Sequence, residues 1–178
     1  MKILLSIILC LMIPTLSLGQ EPSLEIPSDI KTTLDKKFPG WKFAEVDEYV
    51  RSFLRERVSA NARPEMIMGD FDGNGKADYA VLIKHGKALD ESGKAIGENV
   101  YVVAFLKKRN GHKLYVLNAD GDTPEYLTLG RRGEQSYDHH ANKKFTYAND
   151  SIEGWIFEKA GWTYVYEKGK FRYIYTLD

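Results

Sequence analysis

The chain has 178 residues, and its 25 lysines and arginines balance its 25 aspartates and glutamates. A formal net charge of +0 leaves no basic surplus with which to attract nucleic acid or an anionic membrane surface, so we expect neither as a partner. The length suits one ordinary domain and is too short for two. Because Cys10 is the single cysteine of the sequence, a disulfide within the chain is excluded.

The N-terminal segment has the layout of a secretory signal peptide. Lys2 supplies an early positive charge, an apolar run extends over Ile3–Leu18, and the small residues Ser17 and Gly19 fit a cleavage site. The alternative is a retained membrane anchor. We disfavour it because the run is shorter than the roughly 20 apolar residues that span a bilayer and is interrupted by Pro14.

Cleavage after Gly19 divides the chain into a signal peptide at residues 1–19 and a single domain at residues 20–178. Cys10 leaves with the signal, so the mature chain has no thiol with which to bind a metal. We therefore predict a periplasmic or secreted protein with no membrane span after cleavage.

Two short helices are predicted near the start of the domain. Ser28–Phe38 carries apolar residues at four-residue spacing and ends at Pro39 and Gly40. The second helix covers Asp47–Val58, with Asp47 as its N-cap and an apolar face made of Tyr49, Val50, Phe53 and Leu54.

From Glu65 onward the pattern is typical of strands. The predicted strands are Met66–Asp70, Tyr79–Lys84, Asn99–Lys108, Lys113–Asn118, Tyr126–Leu129, Asp150–Glu158, Gly161–Glu167 and Lys170–Leu177. Asn110–Gly111 indicates a two-residue hairpin turn, and the polar segments His85–Glu98 and Gly130–Lys144 are predicted as loops. The predicted fold is α+β: two short N-terminal helices, then a mostly antiparallel sheet that ends in a C-terminal β-meander.

The segment between the first two predicted strands has the chemistry of a Ca²⁺ loop. Asp70, Asp72, Asn74 and Asp78 occupy positions 1, 3, 5 and 9, and Gly73 and Gly75 allow the backbone to curl. Hard Ca²⁺ takes six to eight oxygen ligands, and alternate residues of a tight turn can direct several carboxylates inward. Lys76 falls at position 7, where the ligand is a backbone carbonyl, so its side chain can point away.

An ordinary EF-hand is ruled out, because position 12 holds Val81 where an EF-hand has glutamate. The segment Gly69–Leu82 instead resembles the Ca²⁺ loops of the FG-GAP and VCBS families. That resemblance implies a loop between two antiparallel strands, with side-chain ligands from Asp70, Asp72, Asn74 and Asp78 and a carbonyl ligand from Lys76. It does not extend to the fold, because those proteins are propellers of repeated blades and this chain has one clear copy.

A second acidic segment and the C-terminal tail carry weaker likenesses. The segment Asn118–Glu125 echoes the loop, but it lacks a glycine at the sixth position and contains Pro124, so we expect no metal there. The tail Lys168–Asp178 resembles the ends of small exported bacterial proteins, and this likeness names no activity.

The remaining constellations do not identify a catalytic centre. His139 and His140 are adjacent in a predicted loop without a third zinc ligand at a telling spacing, so a surface position is the simpler interpretation. No serine or cysteine nucleophile motif and no phosphate-binding glycine loop is present. Trp155 and Trp162 lie in aromatic strands that are either core or a surface for a partner.

Two hypotheses about function remain from the sequence. The first is an exported, non-enzymatic binding or interaction domain that holds a structural Ca²⁺ and binds an unknown protein or glycan through its sheet or its long loops. The alternative is a small hydrolase of a cell-envelope polymer that uses acidic residues near the polar loops. The absence of a catalytic motif favours the first. Two facing carboxylates in a concave cleft would favour the second.

Overall fold

A computed structural model describes residues 25–118 and 123–177 of the chain. The predicted signal peptide and Cys10 lie outside those residues. The described residues form two helices, α1 (Ser28–Lys37) and α2 (Glu48–Arg57). They also form eleven strands: β1 (Lys42–Phe43), β2 (Met66–Gly69), β3 (Asp78–Leu89), β4 (Ala95–Lys108), β5 (Gly111–Val116), β6 (Tyr126–Gly130), β7 (Gln135–Asp138), β8 (Lys143–Thr146), β9 (Ser151–Ile156), β10 (Ala160–Glu167) and β11 (Lys170–Leu177). Among these residues, no helix has the length and apolarity needed to cross a membrane.

The predicted α+β class is wrong, because the protein is mostly β and its strands form several antiparallel sheets. The error comes from polar segments that were predicted as loops. Most of His85–Glu98 extends β3 and β4 into a long hairpin, and Gly130–Lys144 contains β7 and the start of β8. These strands have few apolar residues to alternate with polar ones, so hydrophobic periodicity does not reveal them.

The strands form two larger sheets and a small hairpin, all with antiparallel pairing. The first sheet has the order β1-β3-β4-β5, with β2 also paired to β3, and the second has the order β11-β10-β9-β6. Strands β7 and β8 pair only with each other among the described strands. The β4–β5 turn lies one residue earlier than Asn110–Gly111, because Lys108 pairs with Gly111 and leaves Arg109 and Asn110 as the turn.

The first sheet is buried on both faces, which explains the continuous apolar runs of β3 and β4. Ala80 and Leu82 face the second sheet, where they join a main core that includes Trp162. Val81 and Ile83 face the opposite side, where α1 packs Ile30 and Leu34 against them. Successive strand residues point to opposite faces, so a strand covered on both sides needs apolar residues at every position.

Helix α2 packs beside this arrangement through a smaller core of Val46, Val50, Leu54 and Tyr126. It begins after Asp47, whose side-chain Oδ1 accepts a hydrogen bond from the backbone N–H of Tyr49 at 2.8 Å. This cap satisfies one of the N–H groups that a helix start leaves without a partner. Only one flank of α2 is covered, and its other flank leaves Tyr49 and Phe53 exposed.

Candidate metal centre

The predicted Ca²⁺ loop is the turn that joins β2 to β3. Gly69 pairs with Asp78 at the last step of the ladder, so residues 70–77 form the connection between two antiparallel strands. Gly73 and Gly75 have φ values of +72° and +76°, a region that side-chain-bearing residues rarely adopt. Phe71 fixes the turn to the domain, because its ring is fully buried in the main core between the two sheets.

Three of the predicted ligands meet at this turn. One carboxylate oxygen from each of Asp70, Asp72 and Asp78 lies within 4.8 Å of those of the other two. The two oxygens of Asp70 each accept a backbone hydrogen bond at 2.9 Å, Oδ1 from Asn74 and Oδ2 from Gly75. The turn is therefore shaped by its own carboxylates, which hold its backbone around the cluster.

Asp78 is the most enclosed member of the cluster, and its side chain is inaccessible to solvent. Its Oδ2 accepts the backbone N–H of Phe71 at 2.9 Å and its Oδ1 accepts that of Lys107 at 2.6 Å. Burial and, to a smaller extent, the nearby charge of Asp72 raise the pKa of this carboxyl to about 6, against the lowering effect of backbone N–H groups, that of Lys107 first.

The other two predicted ligands lie at the exposed end of the turn. Asn74 is exposed; its Nδ2 donates to the carbonyl of Lys107 at 3.0 Å, and its Oδ1 accepts the N–H of Lys76 at 2.9 Å. Lys76 is also exposed. Asn74 thus ties the turn to the end of β4 in addition to lying beside the carboxylates.

Two charged neighbours of the turn carry no signal in the local sequence. The ammonium group of Lys108, on β4, contacts the Oδ2 atom of Asp72, whose side chain is 5% exposed. The carboxylate of Asp150 accepts the N–H of Asp70 at 3.0 Å with one oxygen and the N–H of Arg132 at 3.0 Å with the other. Lys108 lies 36 residues along the chain from Asp72, and Asp150 lies 80 residues from Asp70.

The donor set of the turn fits a Ca²⁺ ion. Every candidate ligand atom is an oxygen, which is what hard Ca²⁺ requires. The oxygens of Asp78 already accept one hydrogen bond each, but a carboxylate oxygen has a further lone pair to offer. Lys108 serves as a stand-in cation, since its ammonium group lies against a carboxylate of the cluster. A metal ion would supply the same compensation with more charge.

The other residues considered from the sequence do not form a second centre within the described residues. The ring of His140 stacks on that of Tyr175 at 5.5 Å, and His139 contacts the same tyrosine edge-on at 6.2 Å. The side chain of Asn118 takes the place of a backbone acceptor in the sheet, because its Oδ1 accepts the N–H of Val102 at 2.7 Å. Trp162 is fully buried, so it cannot present its ring to a partner. Residues 119–122 of the acidic echo lie outside the described residues.

No protein-family model, no curated protein and no solved structure matches this chain.

Proposed function

We propose that this protein is an exported, non-enzymatic interaction domain in which the β2–β3 turn binds a structural Ca²⁺ ion. The observation that carries the metal assignment is the convergence of three carboxylates within 4.8 Å on one turn. Three negative charges at that separation repel one another, so a cation that compensates them stabilises the arrangement. Lys108 supplies one positive charge, which leaves the cluster net negative.

In this proposal Asp70, Asp72, Asn74 and Asp78 provide side-chain oxygens and Lys76 provides its carbonyl. The role of the ion is to order the turn. A structural role is favoured over a catalytic one because Asp78, the carboxyl whose pKa is raised to about 6, is inaccessible to solvent and cannot reach a polymer substrate. This argues against the hydrolase alternative at the turn itself.

The expected stabilisation is modest. Extracellular Ca²⁺ modules bind with dissociation constants of about 10⁻⁴–10⁻³ M. At about 1 mM Ca²⁺, linkage then gives about 0.4–1.4 kcal/mol of added stability. For a domain of this size that corresponds to a rise in Tm of about 1–5 °C.

Thermal melts of the purified protein in 1 mM Ca²⁺ and in a chelator test the metal assignment. We expect the wild type to melt higher in Ca²⁺ and the Asp72→Ala variant to melt at the same temperature in both. Asp90→Ala is the matched control, because Asp90 also lies in a hairpin turn but has no second carboxylate in its hydrogen-bonded set. It should keep the full Ca²⁺ shift. A wild type without a shift, or an Asp72→Ala variant with a normal one, would refute the assignment.

Export has a separate test. The intact mass of the protein recovered from the periplasm or medium of a bacterial host should correspond to a chain that begins at Gln20. Recovery of the uncleaved chain from the membrane fraction would contradict export as a processed protein.

A further inference from the structure

A second site candidate lies beside the middle of β3, away from the metal centre at the start of that strand. A pocket of about 510 Å³ opens where the start of α2 meets the turn after β9, and its lining includes Glu45, Asp47, Tyr49, Lys84, Glu125 and Phe157. Lys84 is six residues along β3 from Asp78, a distance of about 20 Å at the rise of an antiparallel strand. The pocket therefore shares no ligand with the Ca²⁺ turn.

One wall of the pocket is aromatic and open to solvent. Tyr49 is 65% exposed, and its ring lies edge-on to that of Phe157 with centroids 5.4 Å apart. Phe53, 38% exposed on the next turn of α2, also lies edge-on to Phe157, with centroids 5.7 Å apart. Phe157 is half-buried against the small core of Val50 and Leu54, whereas the rings of Tyr49 and Phe53 lie outside that core. A cluster of large exposed rings is more informative than a single exposed apolar residue, because it marks a surface that a partner can cover.

The rim of the pocket carries three carboxylates, and each is held in place by one contact. Oδ1 of Asp47 accepts the N–H of Tyr49 at 2.8 Å, and Oε2 of Glu125 accepts the N–H of Phe157 at 3.1 Å. Oε2 of Glu45 lies 3.6 Å from the ammonium group of Lys84. In the part of the chain that the structure describes, the second oxygen of each carboxylate has no hydrogen bond. Three carboxylates against one ammonium group leave the pocket with a net charge of about −2 at neutral pH.

We propose that this pocket receives the guanidinium group of an arginine side chain on a protein partner. The inference rests on the proposed role as an interaction domain and names its partner class. A negative rim beside exposed aromatic rings selects a cation that can also stack, and guanidinium is planar, weakly hydrated and supplies five N–H donors. An ammonium group is more strongly hydrated and matches several carboxylates less well. A neutral glycan would use the rings but leave the carboxylate charge uncompensated.

Binding of labelled peptides to the purified protein tests the proposal by fluorescence anisotropy. The probes are hexa-arginine, hexa-lysine of the same charge, and the neutral glycan chitohexaose. We expect hexa-arginine to bind at least threefold more tightly than hexa-lysine, and chitohexaose not to compete. The double variant Glu45→Gln/Glu125→Gln should raise the dissociation constant for hexa-arginine at least tenfold, and Tyr49→Ser should raise it at least threefold.

Matched controls come from the exposed β3–β4 hairpin. Glu91→Gln/Glu98→Gln makes the same change in net charge, and Leu89→Ser removes an exposed apolar side chain away from the pocket. Both should leave the affinity within twofold of wild type. Equal losses in the control double variant would show general charge attraction and overturn the proposal. So would equal affinity for hexa-lysine, competition by chitohexaose, or no saturable binding.

Running the binding assay in 1 mM Ca²⁺ and in a chelator separates this proposal from the metal assignment. A normal Ca²⁺ shift in the melt, together with no effect of the pocket variants, overturns the pocket and leaves the Ca²⁺ turn standing. Arginine-selective binding that the pocket variants abolish supports the pocket even where the melt shows no Ca²⁺ shift.

Discussion

Two acidic turns at the two ends of β3 use aspartate in opposite ways. In the turn after β3, Oδ1 of Asp90 accepts the N–H of Ser92 at 3.0 Å, the hydroxyl of Ser92 at 2.7 Å and the N–H of Lys94 at 2.9 Å. These donors, first the Ser92 hydroxyl, lower the pKa of Asp90. In the turn before β3, burial together with the nearby carboxylate of Asp72 raises the pKa of Asp78 to about 6.

The difference shows what distinguishes a turn whose carboxylate is satisfied by hydrogen bonds from a turn whose carboxylates a cation would stabilise. A single exposed carboxylate surrounded by donors is satisfied by the backbone and by water. Carboxylates that are buried close together keep an excess of negative charge even when their hydrogen bonds are made. Aspartates and glycines in a hairpin turn are therefore not enough to indicate a metal; their burial and mutual distance decide.

The largest effect is expected from removing the buried acceptor. Asp78→Ala leaves the N–H groups of Phe71 and Lys107 without an acceptor in a solvent-excluded position. At about 1–3 kcal/mol for each unsatisfied buried group, the free energy of unfolding should fall by about 2–6 kcal/mol. Urea denaturation in a chelator measures it. In Asp90→Ala, water can replace the carboxylate as acceptor, so the loss should be much smaller. Equal losses would mean that the two turns do not differ in the way described.

The pH dependence of stability should have opposite signs at the two turns. The raised pKa of Asp78 means that the native state holds this proton more tightly than the unfolded chain does. Its contribution is therefore fully present below the ordinary pKa of 3.8 and is lost as the pH rises through about 6. The lowered pKa of Asp90 gives a contribution that is present above 3.8 and is lost as the pH falls below it.

Denaturation of the metal-free protein as a function of pH measures both effects against matched variants. Asp78→Asn should remove the decline in stability between about pH 4 and pH 6. Asp90→Asn should reduce the loss of stability below pH 3.8 and leave the higher range unchanged. A variant that changes the curve in the window assigned to the other residue would contradict the comparison.

The turn before β3 shows which parts of the candidate site could be predicted from the sequence. The spacing of Asp70, Asp72 and Asp78 between two apolar segments is local, and the structure places all three on one turn. Lys108 and Asp150 could not be found in this way, because the register of β4 and the packing of the second sheet bring them to the turn. Burial of Asp78, which sets its pKa, is likewise a property of the folded core.

The error in fold class has a related cause. The four-residue spacing of Ile30 and Leu34 and the apolar run of β3 identify elements whose faces are covered by other elements. The outer part of the β3–β4 hairpin and strand β8 have largely exposed side chains, so backbone pairing is the main contact of these strands, and the buried residue of β7 is the polar Asp138. Backbone pairing has no residue signature, and polar strands of this kind resemble loops in sequence.

The smallest effect is expected from removing Lys108, the cation that the chain itself places against the turn before β3. Lys108 contacts Asp72 and so competes with a metal ion for that carboxylate. Lys108→Met keeps the length of the side chain and removes its charge, so Ca²⁺ affinity should rise by about two- to fivefold, the range expected for a partly exposed ion pair. Isothermal calorimetry measures the change.

Lys107→Met is the control. Neighbouring strand residues point to opposite faces, and among the described residues no ion pair joins the Lys107 side chain to the turn. An equal gain in both variants would assign the effect to general charge, whereas a gain confined to Lys108→Met would show that the lysine holds the place of the ion in the metal-free protein.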